Sequence, residues 1–458
     1  MNPLGAAIAV TSSRGARVLF AAALAMLVAA PIASAQQTSP PDTSMNGYLE
    51  AMSDSTDRYF GLSAAPADTA GLDTAIAETK ERRRLDLSIT PAFDFSRVDG
   101  AVVGVGASAG EPARAPGVIG WGKLSGLIER ATGPGTTLGG GRYENRLWVA
   151  GQAIDLTIRG GRETSPLDRD ETGRALPILR ASFLGTDWMP YERRDGWSAA
   201  LAHQHRWWWA NAGWRDALER PLATTTTWNV FGRGLEQPLN LRAARGRNRE
   251  LQAAAGLRGA SFGADLSWFG SSHRLGGDFD YRRTRVAAGL DLSLGRAASL
   301  VPQIAYGRLT GDAVPQACFF VGGDAASRTL HGDERGGTGF AAAKLELISA
   351  GDVLALLHLP HSAAFPLQGA IYGASCAVWG RDPYTGVVAP GRNWPERRAW
   401  ASEAGVSLLY ASPIFFGQGS FLRVVYAWPI RSDGRVARFG VSIAQVFDLL
   451  GPQPKSEE

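Results

Sequence analysis

Apolar and polar residues alternate along the chain in segments of about ten residues between Leu85 and Phe447. In one such segment, Phe262 and Leu266 fall on one face while Asp265 falls on the other. This period of two is typical of a β-strand. A bilayer offers no water to backbone groups, so only helices and closed barrels cross it, and a strand crosses with about 9–11 residues. The pattern therefore predicts an all-β chain that forms an antiparallel transmembrane β-barrel.

The number and length of these segments favour a barrel over a soluble β-sandwich or a lipocalin-like barrel, which also alternate. Aromatic residues at segment ends, such as Trp207-Trp208-Trp209, indicate interfacial girdles. An even strand number is typical of bacterial barrels, so we predict 16 strands, with 14 or 12 as alternatives. The segments are 86–95, 100–109, 119–129, 144–151, 152–160, 178–186, 196–205, 207–216, 224–232, 249–258, 261–270, 283–294, 299–309, 338–348, 367–379, 400–410, 419–429 and 435–447.

The first 35 residues have the pattern of a signal peptide. Arg14 and Arg17 precede an apolar run over 18–30, and Ala33-Ser34-Ala35 is a small-residue cleavage site. An uncleaved anchor is the alternative, but the run is short for a span of about 20 residues. The sequence therefore predicts export to the cell envelope.

Three further regions follow the signal peptide. Residues 36–84 are polar and too few for a domain with its own core, so we expect a periplasmic tail or linker. Residues 85–447 form the predicted barrel, and 448–458 form a C-terminal tail beyond the last strand. An even-stranded barrel places both of its ends on the periplasmic side.

Composition and motifs exclude several other classes of function. The formal net charge is +4, and the arginines are scattered, so we expect no nucleic-acid surface. His358-Leu359-Pro360-His361 lacks a third metal ligand, and no G-x-S-x-G elbow marks a hydrolase serine. We therefore expect no cofactor, no metal and no enzymatic chemistry. The sequence does not decide whether its two cysteines, Cys318 and Cys376, form a disulfide.

The last third of the chain resembles a known family. Phe319-Phe320-Val321-Gly322-Gly323 followed by Thr329-Leu330-His331-Gly332-Asp333 is similar to the sixth-loop signature of the BamA/TamA-type bacterial surface antigen family. Glu346 stands where that family has an acidic strand residue, and 402–406 and 422–429 resemble its last strands. His331 and Asp333 replace the family's loop arginine and aromatic residue. The family's POTRA domains are not expected here.

The resemblance implies that the long loop folds back into the barrel lumen, where its arginine pairs with wall carboxylates. Alternation places Lys344, Glu346, Glu403, Arg423 and Arg438 on lumen faces, because lipid would exclude them. The candidate site is this loop motif and lumen network: Gly322, Gly323, Leu330, His331, Gly332, Glu346, Glu403 and Arg423.

Two arrangements of the loop follow from this site. His331 against Glu346 or Glu403 would form a pH-sensitive pair, or Arg328 or Arg335 would take the place of the missing arginine. A solvated loop without a specific partner is the alternative to both.

These features predict a protein of the outer membrane of a Gram-negative-type bacterium. We expect a role in outer-membrane biogenesis, or in transport or secretion across that membrane, with membrane lipid and a periplasmic or secreted protein as partners. A passive porin-like channel and an outer-membrane hydrolase are the alternatives. On the last strand, Val441 is expected to face lipid and Ser442 the lumen, so Ser442→Arg should be tolerated better than Val441→Arg.

Overall fold

A computed structural model describes most of the barrel region of the chain. The described residues are 87–111, 121–149, 152–168, 187, 189–226, 240–259, 261–295, 297–323, 326–360, 366–389, 394–411, 420–431, 434–445 and 449–450. The predicted signal peptide and the 36–84 segment lie outside them, as do Phe447 and most of the C-terminal tail.

Sixteen long strands form one antiparallel sheet in which each strand pairs with the next along the chain. Their lengths, from 8 to 15 residues, suit strands that cross a bilayer at a tilt. The strands are β1 (Leu87–Ser96), β2 (Gly100–Glu111), β3 (Gly122–Ala131), β4 (Thr137–Val149), β5 (Gln152–Pro166), β6 (Tyr191–Gln204), β7 (Trp208–Pro221), β8 (Gly246–Gly259), β9 (Phe262–Ser271), β10 (Tyr281–Leu290, continued by Leu292–Leu294), β11 (Ala298–Gly311), β12 (Gly339–Ser349), β13 (Leu367–Arg381), β14 (Ala401–Ala411), β15 (Ser420–Pro429) and β16 (Arg438–Gln445).

The predicted barrel and its favoured count of sixteen strands are therefore confirmed. Two of the predicted segments do not belong to this set. The segment 178–186 lies outside the described residues, and the described part of 224–232 is not a strand. The segment predicted at 144–151 begins earlier, at Thr137, because glycines at its start hid the alternation from the sequence.

Alternation sorts the side chains into an exposed outer face and a lumen face. Ile128, Ile304 and Phe439 point outward and are 61–68% exposed. Ser442 on β16 points inward and is 1% exposed. One girdle candidate differs from expectation, since Trp209 turns inward and is buried while Trp207 and Trp208 are exposed.

The long connections share one end of the barrel. The four longest are 167–190, 222–245, 312–338 and 382–400, and each follows an odd-numbered strand. The start of β1 and the end of β16 lie at the opposite end, where most turns are short. Bacterial outer-membrane barrels show the same asymmetry, with short periplasmic turns and long outer loops. The 312–338 connection is the sixth at the long-loop end, in agreement with the sixth-loop resemblance.

The first and last strands leave an edge. Within the described residues β1 pairs only with β2, and β16 pairs only with β15. Pro91 in the middle of β1 has no N–H to donate, which is typical of an edge strand.

The largest apolar cluster lies inside the barrel and combines wall and loop residues. Wall residues such as Val301 and Ile348 join Phe319 and Leu330 of the 312–338 connection. Cys318 and Cys376 are both buried there as free thiols, which answers the question of a disulfide. No helix among the described residues is long and apolar enough to cross a membrane.

Candidate functional site

The site is built by the connection between β11 and β12, residues 312–338, which we call the lumen loop. Its two arms form a small hairpin in which Phe319–Val321 pairs with Arg335–Gly337. The predicted packed loop is thus observed rather than the solvated alternative, since its tip is buried from Ser327 to Leu330.

The base of the lumen loop is fixed to the wall at Glu219 of β7. Gln316 donates a hydrogen bond from Nε2 to Glu219 Oε2 at 3.0 Å and also bonds both backbone groups of Ala244. The other oxygen of Glu219 accepts from Asn248 at 2.9 Å and lies 3.3 Å from Arg215. Glu219 is fully buried, so its charge is stabilised by these fixed partners rather than by water.

A second contact between the lumen loop and the wall is a stack of one arginine and three phenylalanine rings. The guanidinium of Arg283 lies 4.1 Å from the ring centre of Phe319 and 5.6 Å from that of Phe269. Phe319 also stacks on Phe340, with ring centres 5.8 Å apart. A desolvated cation over an aromatic face is worth about 2 kcal/mol, so this stack holds the rising arm of the loop against the wall.

The tip of the lumen loop is bound by Glu403 of β14. Glu403 Oε1 accepts from the Arg328 N–H at 3.0 Å and from the Tyr372 hydroxyl at 3.1 Å. Its Oε2 accepts from Ser327 Oγ at 2.7 Å and from the N–H and hydroxyl of Thr329, both at 2.8 Å. Glu403 is 1% exposed, so its charge is stabilised by these five donors and not by water. We call this set of donors around the carboxylate the cradle.

Two arginines complete the cradle around the tip. Arg328, one of the two candidates for the family's loop arginine, donates from Nη1 to Ser442 Oγ at 3.1 Å. Arg435 donates to Thr329 Oγ1 at 2.8 Å and to the carbonyl of Ser402 at 3.1 Å. The other candidate, Arg335, belongs to the loop hairpin.

The same geometry bears on the expectation for Ser442→Arg, which stays a prediction. Ser442 is buried, bonded to Arg328, and lies opposite Arg423 on the neighbouring strand. A third guanidinium there would face like charge, so we expect this position on the lumen face of β16 to tolerate arginine poorly.

Glu346 has a separate role in the wall. Its carboxylate lies 3.1 Å from Lys344 on the same strand and 3.1 Å from Arg423 on β15, and all three are at most 6% exposed. Lys344 also lies 5.6 Å from the ring centre of Tyr372, whose hydroxyl reaches Glu403. The predicted lumen positions of these residues are therefore confirmed.

The predicted pairing of His331 with Glu346 or Glu403 is wrong in its partner. His331 Nε2 lies 2.5 Å from Arg438 Nη2, and its backbone N–H donates to Glu334 at 2.7 Å. Burial, together with the positive charge of Arg438, lowers the pKa of His331 from 6.5 to about 4. The imidazole is therefore a neutral acceptor above that pH. The carboxylate of Glu403 is already occupied by donors from residues 327–329.

The loop glycines are required by close backbone contacts. Gly322 has φ of 132°, and a Cβ on it would lie 1.8 Å from the carbonyl oxygen of His331. Gly323 has φ of 77° and would place a Cβ 3.4 Å from the Cα of Gly332. A side chain at Gly322 would force the two arms of the loop apart, and this explains the motif physically.

Sequence reasoning missed the anchors at the base and around the tip. Gln316 and Glu219 are far apart along the chain, and the signal for them was only an inward-facing charge on β7. Ser327 and Thr329 carry no sequence signal that distinguishes them from other polar loop residues, and only their bonds to Glu403 identify them. Within the described part of the chain, no group of three or more His, Cys, Asp and Glu could hold a metal ion.

Comparisons with known proteins identify the fold. No protein-family model matches the chain, and no curated protein sequence matches it. The solved structure of BamA from Haemophilus ducreyi lacking POTRA domains 1-3 is 14% identical, covers 79% of this chain and 71% of that chain, and has a TM-score of 0.50.

Two other solved structures are more distant. CdiB from Acinetobacter baumannii is 11% identical over 81% of this chain and 67% of that chain, with a TM-score of 0.39. Pseudomonas aeruginosa OpdK with vanillate is 13% identical over 78% of this chain and 95% of that chain, with a TM-score of 0.36. Both TM-scores lie below 0.5, so these two structures do not support a fold assignment for this chain. The likeness to BamA, together with the strand order and the folded-in sixth loop, gives this chain the fold of a sixteen-stranded outer-membrane β-barrel of the BamA type.

Proposed function

We propose that this chain is an outer-membrane barrel that handles polypeptide, in membrane biogenesis or in secretion, and that it performs no enzymatic step. Its membrane partner is outer-membrane lipid, and its protein partner is a periplasmic or secreted polypeptide. The long loops face outward and both barrel ends face the periplasm.

The observation that carries this proposal is the lumen loop. It is anchored at Glu219 on β7 and at Glu403 on β14, which are half a barrel apart. A loop that is bound at its base and at its tip fills part of the lumen, whereas a diffusion pore needs a free aqueous path. The arrangement favours a barrel whose lumen is closed at rest.

The edge between β1 and β16 supports polypeptide as the substrate class. Among the described residues each of these two strands has one ladder partner, and the outer edge of a strand presents N–H and C=O groups that another extended chain can pair with. In lipid such an edge is costly, so the barrel gains by pairing it with an incoming strand. Small solutes offer no matching row of backbone groups.

A passive channel is the second candidate, and one region of the lumen favours it. The inward-facing side chains of β4 and β5 are not covered by the loop, and the Arg142 side chain is 49% exposed while Arg159 is also exposed. These residues could line a narrow aqueous path beside the loop. The two candidates make opposite predictions for conductance.

Planar-bilayer recording of the purified protein tests the proposal. We expect no steady conductance from the wild type and frequent openings from Glu403→Ala, which releases the loop tip. Glu346→Gln is the matched control, because Glu346 is equally buried but contacts only the wall. A stable wild-type conductance would refute the closed barrel and support the channel.

Deletion of the gene tests the polypeptide part separately. We expect a changed protein composition of the outer membrane or of the culture supernatant, with small-solute uptake unaffected. A deletion strain with slower solute uptake and unchanged protein composition would contradict the proposal.

A further inference from the structure

The chain continues beyond β16 into the lumen of its own barrel. β16 ends at Gln445, yet Leu449 and Leu450 are only 3% and 6% exposed. Both belong to the apolar cluster that contains Val301 of the wall and Phe319 of the lumen loop. The leucines therefore occupy an internal position rather than trailing into solvent.

The wall binds the backbone of Leu449 with two side chains. Its N–H donates to Gln303 Oε1 of β11 at 3.1 Å. Its carbonyl oxygen accepts from Arg285 Nη2 of β10. Arg285 is itself held by Asp265 of β9 at 3.2 Å, and these three side chains are at most 6% exposed. The wall thus supplies one acceptor and one donor for the backbone of a single residue, which lies in a turn.

These three side chains, with the apolar cluster beside them, form what we call the tail site. It lies near the middle of the wall, since Asp265, Arg285 and Gln303 all fall in the central part of their strands by register. The bonds of Gln303 and Arg285 to Leu449 go to its main-chain atoms, so these bonds do not select a particular side chain. The apolar surroundings select for two neighbouring apolar residues instead.

We propose that the tail site is a binding site for a short polypeptide segment with two adjacent apolar side chains, and that Leu449 and Leu450 are its resident, displaceable occupants. The proposal rests on the proposed function only in naming polypeptide as the ligand class. A client segment replaces Leu449 and Leu450 in the cluster and takes over the bonds of Leu449 to Gln303 and Arg285.

Tethering sets how the occupant competes. A segment joined to its site by a short linker has an effective concentration in the millimolar range, so a free peptide binds the intact protein weakly. Releasing the tail vacates the site and should tighten the binding of the same peptide. Each leucine that enters the cluster is worth roughly tenfold or more in affinity.

The test uses a labelled peptide with the sequence Phe-Asp-Leu-Leu-Gly-Pro, which corresponds to 447–452. Its binding to the full-length protein in detergent micelles is measured by fluorescence anisotropy. We expect binding to the double variant Leu449→Asp, Leu450→Asp to be about tenfold or more tighter than to wild type. Adding Gln303→Leu to that variant should remove the gain, since the incoming N–H would lose its acceptor.

Two controls test whether binding depends on the tail site and on the two leucines of the peptide. Gln252→Leu in the same background changes a lumen-facing glutamine of β8 outside the tail site, and the tight binding should persist. A peptide with Asp-Asp in place of Leu-Leu should bind neither protein. Equal affinity for wild type and the double variant, no binding to the double variant, or equal binding of the Asp-Asp peptide would each overturn the proposal.

A second measurement uses the wild-type protein and does not depend on the variants folding. The same peptide carrying a photoreactive leucine is cross-linked at high concentration and the adduct is mapped by mass spectrometry. Cross-links within 262–311, the range of β9 to β11, are expected. Cross-links that lie only elsewhere would overturn the proposal, while the conductance result for the proposed function would stand independently.

Discussion

Replacing Glu403 by alanine is expected to release the tip of the lumen loop from the barrel wall. The carboxylate accepts five hydrogen bonds, of which two come from the backbone N–H groups of Arg328 and Thr329. Hydroxyl donors can turn toward other acceptors, but a backbone N–H cannot. Alanine therefore strands two buried N–H groups.

The magnitude follows from those two groups. A buried donor left without a partner costs about 1–3 kcal/mol, so the pair costs ~2–6 kcal/mol before any relaxation. Entry of water into the lumen would lower this figure, and we take about 2 kcal/mol as the floor. Glu403→Gln should cost about half as much, because the amide keeps one acceptor oxygen and turns an N–H toward one stranded donor.

Hydrogen exchange of the amides at 327–329 measures this loss directly. A local destabilisation of about 2 kcal/mol corresponds to roughly 30-fold faster exchange through local opening. The order should be alanine fastest, glutamine intermediate and wild type slowest. Glu346→Gln is the control, since Glu346 contacts Lys344 and Arg423 on the wall.

Two outcomes would refute the reasoning. One is protection of 327–329 in Glu403→Ala equal to that in wild type, which would mean that other contacts hold the tip. The other is the same loss of protection in Glu346→Gln, which would mean that the whole wall, and not the cradle, had loosened.

His331→Arg should lower the unfolding temperature on heat-modifiability gels, because a second guanidinium would face Arg438. In wild type the pKa of His331 falls from 6.5 to about 4 on burial, so loop protection by hydrogen exchange should be constant above pH 6.5 and fall between pH 6.5 and 4, where the released histidine takes up a proton. Gly322→Ala should expose the loop to limited proteolysis, since its Cβ would meet the carbonyl oxygen of His331. Ser442→Arg should reduce the folded fraction on the same gels, because the new charge would face Arg328.

Each of these predictions has its own control. His331→Gln should abolish the acid dependence, and stronger loop protection at low pH would instead indicate a carboxylate partner for His331. Gly351→Ala should behave as wild type, because nothing lies within 4 Å of a Cβ there. Val441→Arg should impair assembly through lipid exposure, and full tolerance of Ser442→Arg beside it would contradict the contact with Arg328.

The sequence alone predicted the barrel because alternation is a local property of each strand. A period of two fixes which side chains face lipid, and lipid excludes charge, so Glu346, Glu403 and Arg423 were assigned to the lumen. The loop glycines were predicted from their resemblance to a family motif, and the structure supplies the reason, as Gly322 has a backbone conformation that other residues rarely adopt. Strand number followed from counting, with errors where glycine or turn residues broke the pattern.

Only the tertiary structure determined which residues contact each other inside the lumen. Glu403 and Arg328 are 75 residues apart, and Arg285 and Leu449 are 164 apart, so no local pattern connects them. His331 was assigned a carboxylate partner from charge alone, yet the folded loop placed it against Arg438. Alternation determines the face on which a side chain lies, whereas strand register and the path of a loop determine what it meets there, and both depend on the closure of the whole sheet.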